Sequence, residues 1–203
     1  VSNHASLFDG IVLWTYLEYE NLKIIVDRTR AGEWLLKPFM QNSYTVQIDS
    51  MNPYALKGVI DEVNGGTPLL IFPEGRITRT GRLMKVYEGS GFVASMTGAP
   101  VVPIHIKGSY ETVLSRKPRG RRIFAPVEII IGPVERPVDV SHVAARARKR
   151  IAARRIYDML CRISYSAHNQ PSTLAREFVR VCRVNGRRPA YRDITKKEVT
   201  YSK

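Results

Sequence analysis

A chain of 203 residues holds one substantial domain with a core of its own and little more. With 44% hydrophobic and 25% charged residues it is globular, not disordered, and no apolar run is long enough to cross a bilayer. Its net charge of +14 suits an anionic partner: nucleic acid, an acidic membrane surface or an acidic protein.

The first stretch to carry chemistry is Asn3-His4-Ala5-Ser6-Leu7-Phe8-Asp9-Gly10. A histidine can take a proton from a hydroxyl near neutrality, and a carboxylate on its far nitrogen would fix its tautomer. Residues five apart do not face each other on a helix, so His4 must lie in the turn before a helix while Asp9 projects back from its start. Asn3 and Ser6 are residue types that cap helices there. Taken alone, the stretch also fits a surface histidine with Asp9 offsetting a helix dipole. A helix is expected over 11–20, a strand over 23–26, an apolar helix or loop over 34–39 and a strand end over 46–49. Asn52-Pro53 signals a turn before a helix over 54–64, with Ala55, Val59, Ile60 and Val63 as its stripe.

Gly65-Gly66 ends that helix, and a strand over 69–72 leads into Phe72-Pro73-Glu74-Gly75-Arg76-Ile77-Thr78-Arg79-Thr80-Gly81. Gly75 would let the backbone approach a ligand closely. Glu74 would either fix the loop or meet a donor on a substrate. Arg76 and Arg79 have the forked donors that bind phosphate oxygens in pairs, or are simply exposed. A helix over 89–97 closes at Gly98, and a strand over 101–106 contains Pro103 and His105, the latter placed toward solvent or the sheet surface. After a basic loop over 116–122 come a strand over 127–131 and a long helix over 140–164, with Val143, Ala147, Ile151, Ile156, Met159, Leu160 and Ile163 as its stripe. The alternation predicts an α/β domain, a mixed sheet flanked by helices. A polar stretch over 167–171 marks a linker. The cysteines, Cys161 and Cys182, fit no metal spacing and suit reduced thiols.

The run NHASLFDG, the later FPEGRITRTG and the strand VVPIHI together resemble the glycerolipid acyltransferase family, which carries an NHxxxxD block, an FPEGTRS-like block and a VPI-type strand. The wording looks closest to the acyltransferase half of bifunctional 2-acylglycerophosphoethanolamine acyltransferase/acyl-carrier-protein synthetases. That resemblance implies an acyltransferase domain over 1–166, lacking its N-terminal part because the chain opens inside the first motif. It implies that 172–203 begin an adenylate-forming synthetase domain, as a truncated tail. His4 would be the general base and Asp9 its orienting partner, with Glu74, Gly75, Arg76 and Arg79 binding substrate. The donor would be acyl-carrier protein or acyl-CoA and the acceptor a lysophospholipid, with no cofactor and no metal. The setting would be the cytoplasmic face of a bacterial inner membrane.

One departure bears on the acceptor. Family members often carry Ile-Asp-Arg between the two blocks, with the arginine on the acceptor phosphate, whereas this chain reads Ile48-Asp49-Ser50. A capped phosphate such as the ethanolamine form is therefore expected, with 1-acylglycerol-3-phosphate as the alternative. The basic stretches 116–122 and 146–155 suit an anionic membrane surface or an acidic carrier protein. No aromatics interleave with these arginines, which makes nucleic acid the poorer reading, although a non-catalytic basic module is the rival from another class.

Overall fold

A computed structural model describes residues 1–27, 45–49, 52, 54–118, 120–136, 143–168, 174–186, 189–192 and 198–200. The expectation for 34–39 falls outside them.

The chain divides into two units, Val1–Ala167 and His168–Lys203. In the first, α1 (Asp9–Leu17) ends at Glu18, whose φ of 44° is left-handed and stops the helix short of the expected 20. The β-branched run of β1 (Lys23–Asp27) pairs in parallel with β2 (Thr45–Ile48) on one side and β3 (Leu69–Leu70) on the other. Between β2 and β3 runs α2 (Ala55–Asn64). Next, α3 (Glu88–Thr97) precedes β4 (Ile104–Lys107), which pairs antiparallel with β5 (Glu128–Ile131). The strand expected from 101 starts at Ile104: Pro103 offers no N–H, and Val101 instead bridges Glu135.

What joins these two sheets has no counterpart in the sequence pattern. Val1–Asn3 lies between β3 and β4 as a short connecting strand. Ser2 N–H donates to Ile71 C=O at 3.1 Å, Ile104 N–H donates to Val1 C=O at 2.8 Å, and Ser2 pairs in parallel with Ile104. The Asn3 side chain extends the ladder, giving a hydrogen bond to Ile106 C=O at 3.0 Å and accepting one from Ile106 N–H at 2.7 Å. The result is a mixed sheet, parallel except for β5, flanked by helices.

Two buried clusters are built on it. Leu13 of α1 packs with Leu22, Ile24, Leu70, Ile104 and Ile106. Val86, Ala94 and Val101 pack with Ala153, Ile156, Met159 and Leu160 of the long helix α4 (Ala145–His168). The stripe of α4 differs from the expected one, because Ile151 is 38% exposed while Ala152 and Ala153 are buried. The cause is Gly91 of α3: a Cβ there would sit 2.3 Å from Ala153 N, so the helices meet backbone to backbone and only small residues fit. His105 is buried, not turned to solvent.

The second unit, taken by itself, contains α5 (Leu174–Asn185) and an antiparallel pair, β6 (Pro189–Arg192) and β7 (Glu198–Thr200). Only the helix is apparent from the sequence pattern.

Candidate active site

The connecting strand Val1–Asn3 runs parallel to β4 and delivers His4 at its C-terminal edge, where open α/β sheets collect ligand sites. The second motif leaves the neighbouring strand β3 at the same edge. The two meet through the backbone of His4: its N–H donates to Glu74 Oε1 at 2.9 Å, and its C=O accepts from Thr78 N–H at 2.8 Å.

His4 precedes the helix and Asp9 opens it, which solves the five-residue spacing. The chain turns over residues 5–8, and Asp9 Oδ2 reaches back to His4 Nδ1 at 3.1 Å. The same oxygen accepts from Ala5 N–H at 2.5 Å and Ser6 N–H at 2.8 Å. Asp9 is 1% exposed, and its Oδ1 has no hydrogen-bond partner among the described residues. An ionised carboxylate only accepts, so Nδ1 carries the proton, and Nε2 is left as a lone pair for a substrate in the cavity that His4 lines. The ring is stacked on Phe72, with centroids 4.3 Å apart.

The capping roles expected of Asn3 and Ser6 are not found. The N-cap position is Phe8, which makes no side-chain cap bond. Asn3 extends the sheet, and Ser6 Oγ meets Thr112 Oγ1 at 2.9 Å, holding the turn from the far side. Ser2 and Ser6 are both buried, so neither presents a nucleophile.

In the second motif, Glu74 is 1% exposed and both of its oxygens are taken by backbone amides, His4 N–H and Met84 N–H (2.7 Å). It fixes the loop between the motifs and does not line the cavity. Burial raises its carboxyl pKa above the ordinary value, against the pull of those two amides. Gly75 has φ of +62°, and a Cβ on it would press the Tyr87 ring at 3.4 Å. Gly75 and the exposed Arg76 both line the cavity. Arg79 is exposed and lies outside that lining; its C=O accepts from Tyr110 Oη at 2.7 Å.

The cavity encloses about 740 Å³. Its wall is mostly apolar, from Ile11, Ile24, Val26, Ile48, Leu56, Ile71 and Val93, with His4, Arg76, Lys149, Asn52, Tyr87, Ser90 and the carboxylates of Asp27 and Asp49 as polar points. Lys149, whose ammonium sits 4.4 Å from the Phe92 ring centroid, is legible in the sequence only as one charge in a basic helix. Tyr87 and Asn52 give no sequence signal of a place in the site. Among the described residues no group of His, Cys, Asp or Glu could hold a metal ion, and no helix is long and apolar enough to cross a membrane.

The comparisons with known proteins agree with this geometry. Residues 1–107 match the family described as Acyltransferase, a span that holds both motifs and closes with β4, and the chain belongs to that family. It is 31% identical over 117 residues to the chloroplastic 1-acyl-sn-glycerol-3-phosphate acyltransferase BAT2 of Brassica napus, covering 54% of this chain and 32% of that protein. It is 32% identical over 119 residues to a 1-acyl-sn-glycerol-3-phosphate acyltransferase of Cocos nucifera, covering 54% and 37%. The match thus spans about a third of the length of those curated relatives. The crystal structure of the 1-acyl-sn-glycerophosphate acyltransferase PlsC from Thermotoga maritima superposes with a TM-score of 0.53 over 78% of this chain and 64% of that one. At 20% identity that likeness establishes the fold.

Proposed function

We propose that the chain moves an acyl group from a thioester to the free hydroxyl of a lysophospholipid. The observation that carries the reading is the His4–Asp9 pair, whose histidine lines a largely apolar cavity. His4 Nε2 takes the hydroxyl proton as that oxygen forms its bond to the thioester carbonyl carbon. The C–S bond then breaks, and the proton passes from the imidazolium to the departing thiolate. Asp9 stabilises the imidazolium through Nδ1–H, a base worth about 10²–10⁴-fold. Arg76 faces the acceptor's phosphate from the cavity wall, and the apolar lining shields the acyl chain from water. Arg79 would reach the same phosphate only from outside that lining.

Two curated relatives are named for 1-acyl-sn-glycerol-3-phosphate, which favours that acceptor over the ethanolamine form. The ethanolamine acceptor is the second reading, supported by Ser50 where the family's phosphate-binding arginine is expected. With it go a bifunctional parent protein, an acyl-carrier-protein donor and a bacterial inner-membrane setting, supported by the wording of the two motifs and by the 172–203 tail. A panel of lysophosphatidic acid and lysophosphatidylethanolamine, each with acyl-carrier-protein and acyl-CoA donors, separates the readings by kcat/KM. Transfer that survives His4→Ala in a folded chain would overturn both.

A further inference from the structure

Residues 112–127 make an excursion between β4 and β5 that the proposed reaction does not use. Its base is fastened to the catalytic turn. Ser6 Oγ bonds Thr112 Oγ1, Leu7 N–H donates to Leu114 C=O at 3.3 Å, and Ser6 pairs with Ser115. The base is closed by Arg122 N–H donating to Glu111 C=O at 2.7 Å. Directly after that closure, on the way to β5, stand Ile123, 74% exposed, and Phe124, 93% exposed. Arg121 and Arg122, which precede them in the chain, are exposed, as is Arg116 on the excursion. A shallow apolar hollow runs from Phe124 and Val127 back to Phe8 and Val12 on α1.

Two neighbouring exposed apolar side chains that continue into an apolar hollow, with guanidinium groups next to them in the chain, form the kind of patch that marks an interaction surface. It suits a surface whose interior is hydrocarbon and whose face is anionic. We propose that this loop is a membrane-docking element, with Ile123 and Phe124 entering the acyl region of an anionic bilayer while Arg116, Arg121 and Arg122 lie at its headgroups. The catalytic turn, hydrogen-bonded to the loop's base, is thereby held against the surface in which lysophospholipids reside. Only that last consequence rests on the proposed reaction; the docking itself does not. An acidic carrier protein would match the arginines, but it leaves no use for an almost fully exposed phenylalanine directly after them.

The test uses the whole chain and vesicles, without turnover. The chain has two tryptophans of its own, so the emission of Phe124→Trp is read as its difference from the parent chain. That difference should shift to the blue on adding vesicles of phosphatidylglycerol with phosphatidylcholine, and be quenched by lipids brominated on their acyl chains. Phe124→Asp should lower vesicle affinity by on the order of 10–100-fold, the partitioning of one phenylalanine. Arg121→Glu with Arg122→Glu should abolish the preference for anionic over neutral vesicles, at about fivefold for each charge. All three residues are exposed, so unchanged thermal unfolding confirms intact variants. If the Phe124→Trp chain pellets with vesicles while its added emission stays unshifted, the proposal is overturned, because adhesion then lies elsewhere. A shift caused by acyl carrier protein, or by raising the chain's own concentration, but not by lipid would overturn it too, making the loop a protein-docking or self-association surface. A chain inactive on every lysolipid whose residue 124 still inserts would sink the proposed reaction and leave the docking loop standing.

Discussion

His4 is held at three points that mutation can separate. Its ring is set by Asp9, its N–H by Glu74, and its C=O by Thr78. His4→Ala should lower kcat by at least about 10²–10⁴-fold with little change in thermal stability, since its backbone bonds remain. Asp9→Asn should lose a comparable factor in kcat and also stability, because Oδ2 serves two backbone amides besides the imidazole. Glu74→Gln should cost about 1–3 kcal/mol, because an amide offers one acceptor oxygen to two N–H donors and turns its own N–H₂ against the other. The pH dependence has a definite sign. Burial raises the Glu74 pKa above 4.5, so the native state holds this proton to higher pH than the unfolded chain does. Its contribution to stability is full below 4.5 and is lost as pH rises through the raised value. The wild-type advantage over Glu74→Gln should therefore grow as pH falls from neutral, which urea unfolding across that range would measure. The His4–Asp9 pairing is legible in the sequence because both partners lie within one short motif. Glu74's loop-fixing role is one of the two readings its motif allows, but its donors are not legible, because they are backbone amides 70 and 10 positions away.

Periodicity exposes elements better than it exposes their joints. The stripe of α2 and the β-branched run of β1 are readable because each residue reports its own burial. The stripe of α4 departs from its periodicity at Ile151, because burial there is decided by Gly91 on another helix, whose missing Cβ lets Ala152 and Ala153 take the contact. Gly91→Val should destabilise by about 1–3 kcal/mol or more by forcing α3 from α4, a shift in unfolding midpoint at unchanged slope. The connecting strand Val1–Asn3 is invisible for another reason: so short a run, mostly polar, shows no alternation long enough to register. The β6–β7 pair escapes for the same reason, its strands spanning only Pro189–Arg192 and Glu198–Thr200.

For the whole molecule, composition points to an anionic partner and the strand–helix alternation to the mixed sheet, but neither shows where the charge is used. The arginines of α4 illustrate the difficulty: Arg155 and Arg162 are both paired with Glu135, so they do not count fully toward a docking surface. Vesicle adhesion should weaken as ionic strength rises past roughly 0.1 M, where screening acts over about 10 Å, and should do so less for a docked Phe124 than for charge alone. Both motifs, both buried clusters and the cavity belong to Val1–Ala167. A chain ending at Ala167 should therefore carry out the proposed transfer as well as the full chain does on the same lysolipid.

The strand that carries His4 leaves the ribosome well before the strand it must pair with. Its partners on one side, Val102 and Ile106, lie 101 and 103 positions later. At roughly 5–20 residues per second, the segment waits on the order of 5–20 s before β4 is made. Closing so long a loop is also the slow kind of step in folding. Until it closes, the two sheets are unjoined and the strand before His4 is held on one side only, by Ile71, Glu74 and Thr78. On the proposed reaction, full catalytic competence therefore waits for β4 to brace that strand from its other side. In a refolding experiment, activity should return with protection of the Ile104 and Ile106 amides from hydrogen exchange, and after protection of those in β1.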